Sequence, residues 1–332
     1  MDGESGRLLL SQNGDSRELI ASTTKIMTAL VVLQRCRLSE IVRIKPEDTG
    51  IEGSSIYLHK DEKVTVETLL YGLLLESGND AAAALARYTA GSIEKFAGLM
   101  NREAEKLGME NTHFVNPHGL DADGHYSTAA DLATLMRAAM ENEDFARISG
   151  TKAITFGERT FKNHNRLLWT CDGVCGGKTG YTLHAGRILV TCCRRDEMSL
   201  ICVTIDDRSD WRDHTALYGW AFSRLCRTEL FSAGHVFRSV PVIAGTSDSV
   251  SIFPADDLTV TSLKDDEVTW KAELPRFLYA PLQDGEAVGK LTAYVNGAPA
   301  AETELLCKTG VPEDAGQRLD FWEKLKRSLL NI

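Results

Sequence analysis

ASTTKIMTAL, residues 21 to 30, places a lysine where burial ought to exclude one. Beyond Lys25, Ile26, Met27, Ala29, Leu30, Val31, Val32 and Leu33 are apolar almost all the way round a helix, the pattern of a helix sunk in a core. An amine there is costly unless it is paired, neutralised by a lowered pKa, or used. Ser22 stands three residues earlier, so on a helix the two side chains share one face about one turn apart. A hydroxyl is a poor nucleophile until a base takes its proton, and a desolvated amine can be that base. At a helix start, Ser22 would also meet backbone N–H groups that favour a developing oxyanion. The competing reading has Ser22 as a helix cap and Lys25 snorkelling to solvent. S-x-x-K occurs three times in the chain. Ser92 to Lys95 opens an amphipathic helix and fits a cap, whereas Ser149 to Lys152 contains Gly150 and runs into a strand. Only Ser22 has the apolar context.

Upstream, RLLLSQNGDSREL reads as a hairpin around Asn13-Gly14 that feeds the apolar helix. From about residue 64 to 146, four segments carry apolar residues at three- and four-residue spacing and read as helices. AITFGERTF is a hairpin pattern, GRILVTCC and MSLICVTI are two core strands, and SDWRDHTALYGWAFSRLC is a helix capped by Ser209 or Asp210. After about Thr228 the composition turns to short strands and prolines, a separate β domain. A last segment, RLDFWEKLKRSLLNI, is amphipathic. The expected organisation is an α+β catalytic domain over 1–227, a β-rich domain over 228–312 and an amphipathic helix over 313–332.

Two further motifs sharpen the chemistry. Ser77-Gly78-Asn79 puts a hydroxyl and an amide at a helix-to-helix junction, and Lys178-Thr179-Gly180 puts a cation and a hydroxyl on a glycine-flanked strand that a ligand backbone can approach. Neither is rare alone, since Ser11-Gln12-Asn13 and Lys308-Thr309-Gly310 mimic them elsewhere. The ordered set of three, each in its context, is what chance does not supply. ASTTKIMTAL, SGNDAAAALA and GGKTGYT resemble the three active-site motifs of the penicillin-binding D-alanyl-D-alanine carboxypeptidases, the low-molecular-weight serine peptidases related to β-lactamases. THFVNPHGLDADGHYSTAADLA, NHNRLL and LYAPLQDGEAVGKL extend the resemblance over nearly the whole chain.

The resemblance implies a β-lactamase/transpeptidase-like domain, an antiparallel sheet flanked by helices, in which Ser22 is acylated and Lys25 is its base. It makes Ser77 the proton relay to the departing D-alanine and gives Asn79 the substrate amide. Lys178 and Thr179 take the terminal carboxylate, Gly180 lets the peptide lie on the strand, and the backbone N–H groups of Ser22 and Tyr181 form the oxyanion hole. The implied substrate is a peptidoglycan stem peptide ending in D-Ala-D-Ala, with β-lactams as acylating inhibitors. No metal or organic cofactor is implied. The deacylating glutamate of class A β-lactamases has no E-x-x-L-N counterpart between the second and third motifs, and SGN rather than SDN is typical of the carboxypeptidases. A β-lactamase and a non-catalytic wall-binding protein of the same fold are the alternatives. The intact Ser22, Lys25, Ser77, Lys178 set opposes the second, because a binder has no need of the base.

Composition agrees. A net charge of -10 argues against nucleic acid, and no apolar stretch reaches the roughly 18 to 20 residues that cross a bilayer. No signal peptide opens the chain, yet the resemblance implies an extracytoplasmic, membrane-associated protein. The basic face and Phe321-Trp322 of segment 313–332 suit an in-plane membrane anchor, the other reading being a cap on the β domain. GVCGGKT is one residue short of a P-loop and runs into a strand rather than a helix. The family pattern does not require His184, nor Cys171, Cys175, Cys192 and Cys193. Their spacing is poor for tetrahedral zinc and leaves buried free thiols or one disulfide. His113, His118 and His125 read as a structural loop.

Overall fold

The structure, a computed structural model, describes residues 1–316 and 326. The expected helix over 313–332 therefore lies almost wholly outside the described residues. The chain divides into two compact units, Met1–Ser223 and Arg224–Ile332.

In the first unit a 3-10 turn, Ala21–Thr24, runs straight into helix α1 (Lys25–Leu33). Strands β1 (Ile41–Arg43) and β2 (Lys63–Thr65) pair antiparallel before a helical block of α2 (Val66–Leu75), α3 (Asn79–Ala90), α4 (Ile93–Lys106), α5 (Ala129–Met140) and α6 (Glu143–Gly150). Next come the hairpin β3 (Ala153–Phe156) and β4 (Arg159–Lys162), and the single turn α7 (Leu167–Thr170). Three antiparallel strands, β5 (Val174–Thr182), β6 (Gly186–Arg195) and β7 (Met198–Thr204), then form the main sheet, followed by α8 (Asp210–Phe222).

The helices begin where side chains satisfy their orphan N–H groups. Thr65, Ser92, Thr128 and Asn142 each accept from the backbone N–H three residues on, opening α2, α4, α5 and α6. Helix α3 ends at Gly91, whose φ of +85° costs glycine little. Helix α1 has only Leu33 outside the buried set and lies at the centre of one apolar cluster with α2, α3, α5 and Val190 of the sheet. Each buried Leu, Ile or Val there contributes about 1.5–3 kcal/mol, the driving force that holds the amine of Lys25 inside.

Two expectations fail locally. No strand forms on either side of Asn13: residues 8–12 are irregular, and the turn is closed by the Ser16 N–H on the Asn13 carbonyl at 3.1 Å. The backbone pairs outward instead, Asp2 bridging Leu200 and Glu18 bridging Ser127, and leaves Leu8 and Leu10 44 % and 57 % exposed. The last helix of this unit also stops at Phe222 rather than reaching Cys226, and Ser209 caps it through its backbone carbonyl alone. Ser209 occupies the cap position without a side-chain bond, and the Asp210 carboxylate is committed to the Arg187 guanidinium, two of whose nitrogens bond it at 2.8–3.1 Å.

The second unit holds β8 (Leu225–Phe231), β9 (Arg238–Ile243), β10 (Ser249–Pro254), β11 (Leu258–Leu263), β12 (Val268–Glu273), β13 (Leu278–Tyr279), β14 (Ala287–Val295) and β15 (Ala298–Cys307). Six form one sheet in the order β12-β14-β15-β10-β9-β13, while β8 pairs β11. Alternating burial along β9 and β10 builds a separate core from Val240, Val242, Val250 and Ile252 with Leu291 and Leu305. Among the described residues no helix is long and apolar enough to cross a membrane.

Candidate active site

Lys25 has no solvent exposure, and its Nζ touches three oxygens: Asn79 Oδ1 at 2.7 Å, the His118 carbonyl at 2.5 Å and Ser22 Oγ at 2.9 Å. Burial holds this amine well below the ordinary lysine range; the nearby Lys178 charge pushes the same way, and Asp80 opposes. A neutral amine has two N–H donors and one lone pair. The His118 carbonyl can only accept, and so can Asn79 Oδ1, because the Asn79 Nδ2 donates to the Glu52 carbonyl at 2.6 Å. Both amine hydrogens are thereby used. The lone pair is left facing the hydroxyl of Ser22, which is the arrangement a general base requires.

Ser22 is half-buried in the 3-10 turn, and Ala21 before it has φ +43°. Two elements press the turn into place. Helix α1 continues it directly, and Gly119 packs so closely that a Cβ there would sit 1.8 Å from the Ala21 carbonyl oxygen. Gly119 has φ +87° in a turn that Asn116 builds by accepting from its N–H at 2.7 Å and donating to the Leu120 carbonyl. Gly119→Ala is therefore expected to cost about 2 kcal/mol and to slow acylation of Ser22, read by thermal melts and reaction with a reporter β-lactam. A variant with unchanged rate and melting temperature would refute the clamp.

Ser77 has φ +61° between α2 and α3, and its buried hydroxyl has no hydrogen-bond partner among the described residues. A non-glycine residue held in that region with an unsatisfied hydroxyl costs about 1–3 kcal/mol, the kind of expense that recurs at functional sites. Ser22, Ser77, Thr179, Gly180 and Tyr181 line one cleft of about 320 Å³, together with Ser54, His164, Arg187 and Trp211. Gly180 is needed: a Cβ there would lie 3.2–3.3 Å from Ile20, Ala21 and the Ser22 nitrogen. Tyr181 is 62 % exposed at the rim.

Lys178 and Asn79 are both buried. Lys178 is fully buried next to the cleft-lining Thr179, donates to the Thr179 carbonyl at 2.8 Å, and is lowered by burial to about 7. Each end of the Asn79 amide makes one bond within the protein, Oδ1 to the Lys25 amine and Nδ2 to the Glu52 carbonyl, so it orients Lys25 and keeps a second Nδ2 hydrogen. Sequence reasoning also missed what supports them. Asp80 lies immediately after the second motif, and its buried carboxylate accepts from the Ile56 and Leu58 N–H groups and from the Ser55 hydroxyl, tying down the loop that carries Glu52. The histidine loop proves part of the site through a backbone carbonyl. His125 accepts the Val115 N–H on Nδ1, so its Nε2 donates to Thr24 at 2.8 Å. Burial lowers His125 to about 4 and His118 to about 3, so both are neutral near pH 7. His184 is exposed in the turn between β5 and β6. Among the described residues no cluster of three or more His, Cys, Asp or Glu could hold a metal.

Comparison with known proteins gives the family. The profile of peptidase family S11, D-alanyl-D-alanine carboxypeptidase, matches residues 1–209. The chain belongs to this family. Residues 227–313 match the C-terminal domain of penicillin-binding protein 5. The D-alanyl-D-alanine carboxypeptidase DacC of Escherichia coli is 35 % identical over 97 % of this chain and 86 % of its own. DacF of Bacillus subtilis is 29 % identical over 98 % and 89 %. Penicillin-binding protein 5 from Haemophilus influenzae, a solved structure, superposes with a TM-score of 0.80 at 31 % identity over 94 % and 96 %. The resemblance read from the three motifs holds, as does the fold it implied, and the activity of this family member is that of a D-alanyl-D-alanine carboxypeptidase.

Proposed function

We propose that the chain is a serine-type enzyme that removes the terminal D-alanine of peptidoglycan stem pentapeptides through an acyl-Ser22 intermediate. The observation that carries the reading is the buried Lys25 amine, both of whose hydrogens are spoken for, 2.9 Å from the Ser22 hydroxyl. Lys25 takes the proton as Ser22 Oγ attacks the penultimate D-alanine carbonyl. The backbone N–H groups of Ser22 and Tyr181 receive the oxyanion, and the peptide lies along Gly180 as an added strand. Ser77, with its uncommitted hydroxyl, passes the proton to the departing D-alanine nitrogen. Thr179 and Lys178 bind the terminal carboxylate, and Asn79 holds Lys25 in register with the substrate amide beside it. Water then attacks the ester and releases the shortened peptide.

Intact-mass analysis after exposure to penicillin tests this. A persistent adduct mapped to Ser22 is expected; rapid loss of the adduct would indicate a β-lactamase, and no adduct a non-catalytic binder. A substrate in the cell wall places the protein outside the cytoplasm, with membrane contact through residues 313–332. Unchanged liposome binding after deletion of that segment would refute the contact.

Carboxylate binding carries its own pH signature. The Lys178 amine is charged below about 7 and loses that charge as pH rises. The apparent affinity for a D-Ala-D-Ala peptide, as 1/KM, is expected to fall above that point by about tenfold per unit, moderated where the bound carboxylate raises the amine's pKa. A KM flat from pH 6 to pH 9 would remove Lys178 from carboxylate recognition.

A further inference from the structure

We propose that Cys175 and Cys192 are a modification site: on meeting a small-molecule or protein disulfide they join as a disulfide that closes the β5–β6 hairpin around Lys178, Thr179 and Gly180. All eight cysteines are free thiols in the structure. The register of β5 on β6 pairs Val174 with Cys193 and Gly176 with Cys192, which leaves Cys175 as the extra residue of a β-bulge. A bulge sets two residues of one strand against one of the other, so Cys175 and Gly176 both oppose Cys192. Residues facing across antiparallel strands have Cα separations of about 4.5–5.5 Å, inside the range a disulfide spans.

The side chains follow that geometry. Cys175 Sγ lies 3.6 Å from the Cys192 carbonyl, on the strand position that carries the Cys192 thiol. Interaction with the neighbouring Cys192 thiol holds the Cys175 thiol below the ordinary cysteine range, and the Arg194 charge helps, while Cys192 is pushed up by Cys175 and by burial. Cys175 is only partly buried and Cys192 is fully so, which fixes the order of events. Cys171 and Cys193 do not compete directly. Cys193 is adjacent to Cys192 and points to the other face of the strand, where both it and Cys171 turn toward the Asp172 carbonyl.

The exchange balances. Cys175 thiolate attacks one sulfur of the oxidant disulfide, forming a mixed disulfide and releasing one thiolate. Cys192 then gives up its proton and attacks Cys175 Sγ, expelling the second thiolate. Two protein thiols lose two electrons in all, and one oxidant disulfide becomes two thiols.

The test incubates the reduced full chain with oxidised glutathione, alkylates the remaining thiols in denaturant, and maps the products by mass. The expected result is a chain about 2 Da lighter before alkylation, with a Cys175–Cys192 linked peptide and both residues protected from the alkylating agent. Cys192→Ser should stop at a stable glutathione adduct on Cys175, and Cys175→Ser should give neither adduct nor link at this pair. Full alkylation of Cys175 and Cys192 in the wild-type chain, or a link mapping instead to Cys171 and Cys193, would overturn the proposal. The wild-type result decides even where a variant fails to fold.

Discussion

Lys25→Met should slow acylation of Ser22 by penicillin about 10³-fold, within the range a positioned general base supplies, while the protein still folds. Methionine fills much of the volume of the buried stem without a titrating group. It removes the lone pair facing Ser22, and it leaves Asn79 Oδ1 and the His118 carbonyl without a donor, a cost that offsets the gain from no longer burying an amine. The melting temperature should therefore shift far less than the rate. The measurement is the second-order rate of adduct formation by mass or with a fluorescent penicillin, paired with a thermal melt. Acylation within tenfold of wild type would mean that some other group takes the hydroxyl proton.

Asp80→Ala should have the largest effect on stability. The carboxylate is buried and receives two loop N–H groups, the Ser55 hydroxyl and the Ala81 N–H of its own helix. Truncation strands those donors and removes the anion that opposes Lys178 in setting the charge of Lys25. A loss of about 3–5 kcal/mol is expected, which for a unit of this size lowers the melting temperature by roughly 10 °C. Activity should fall with it, because the loop carries the Glu52 carbonyl that orients Asn79. A melting temperature within about 2 °C of wild type would show that the loop is held by other means.

Much of this was legible in the residues because the site is built where local rules are broken. A lysine inside an apolar helix and a strand interrupted by glycines are departures from pattern that only a function explains. The helical block was legible from periodicity and caps. What stayed hidden is long-range. Nothing local says that the carbonyl of His118, 93 residues from Lys25, completes the shell of the amine, or that Asp80 reaches back to residues 55–58. The failed hairpin has the same origin: Asn13-Gly14 has turn chemistry, but the backbone around it finds partners at Ala130 and Ser127. Asp210 is not free to cap the helix with its side chain because Arg187 on β6 claims its carboxylate, a competition that no window of sequence contains.

The central claim is that Lys25 rests uncharged beside Ser22. Titration of its ε-carbon by NMR in the unliganded protein, with Lys25→Met to assign the signal, tests it directly. The account predicts an amine that titrates well below the ordinary lysine range, with acylation lost as pH falls through that lowered pKa. A lysine that titrates near its unperturbed value of about 10.4 would contradict it.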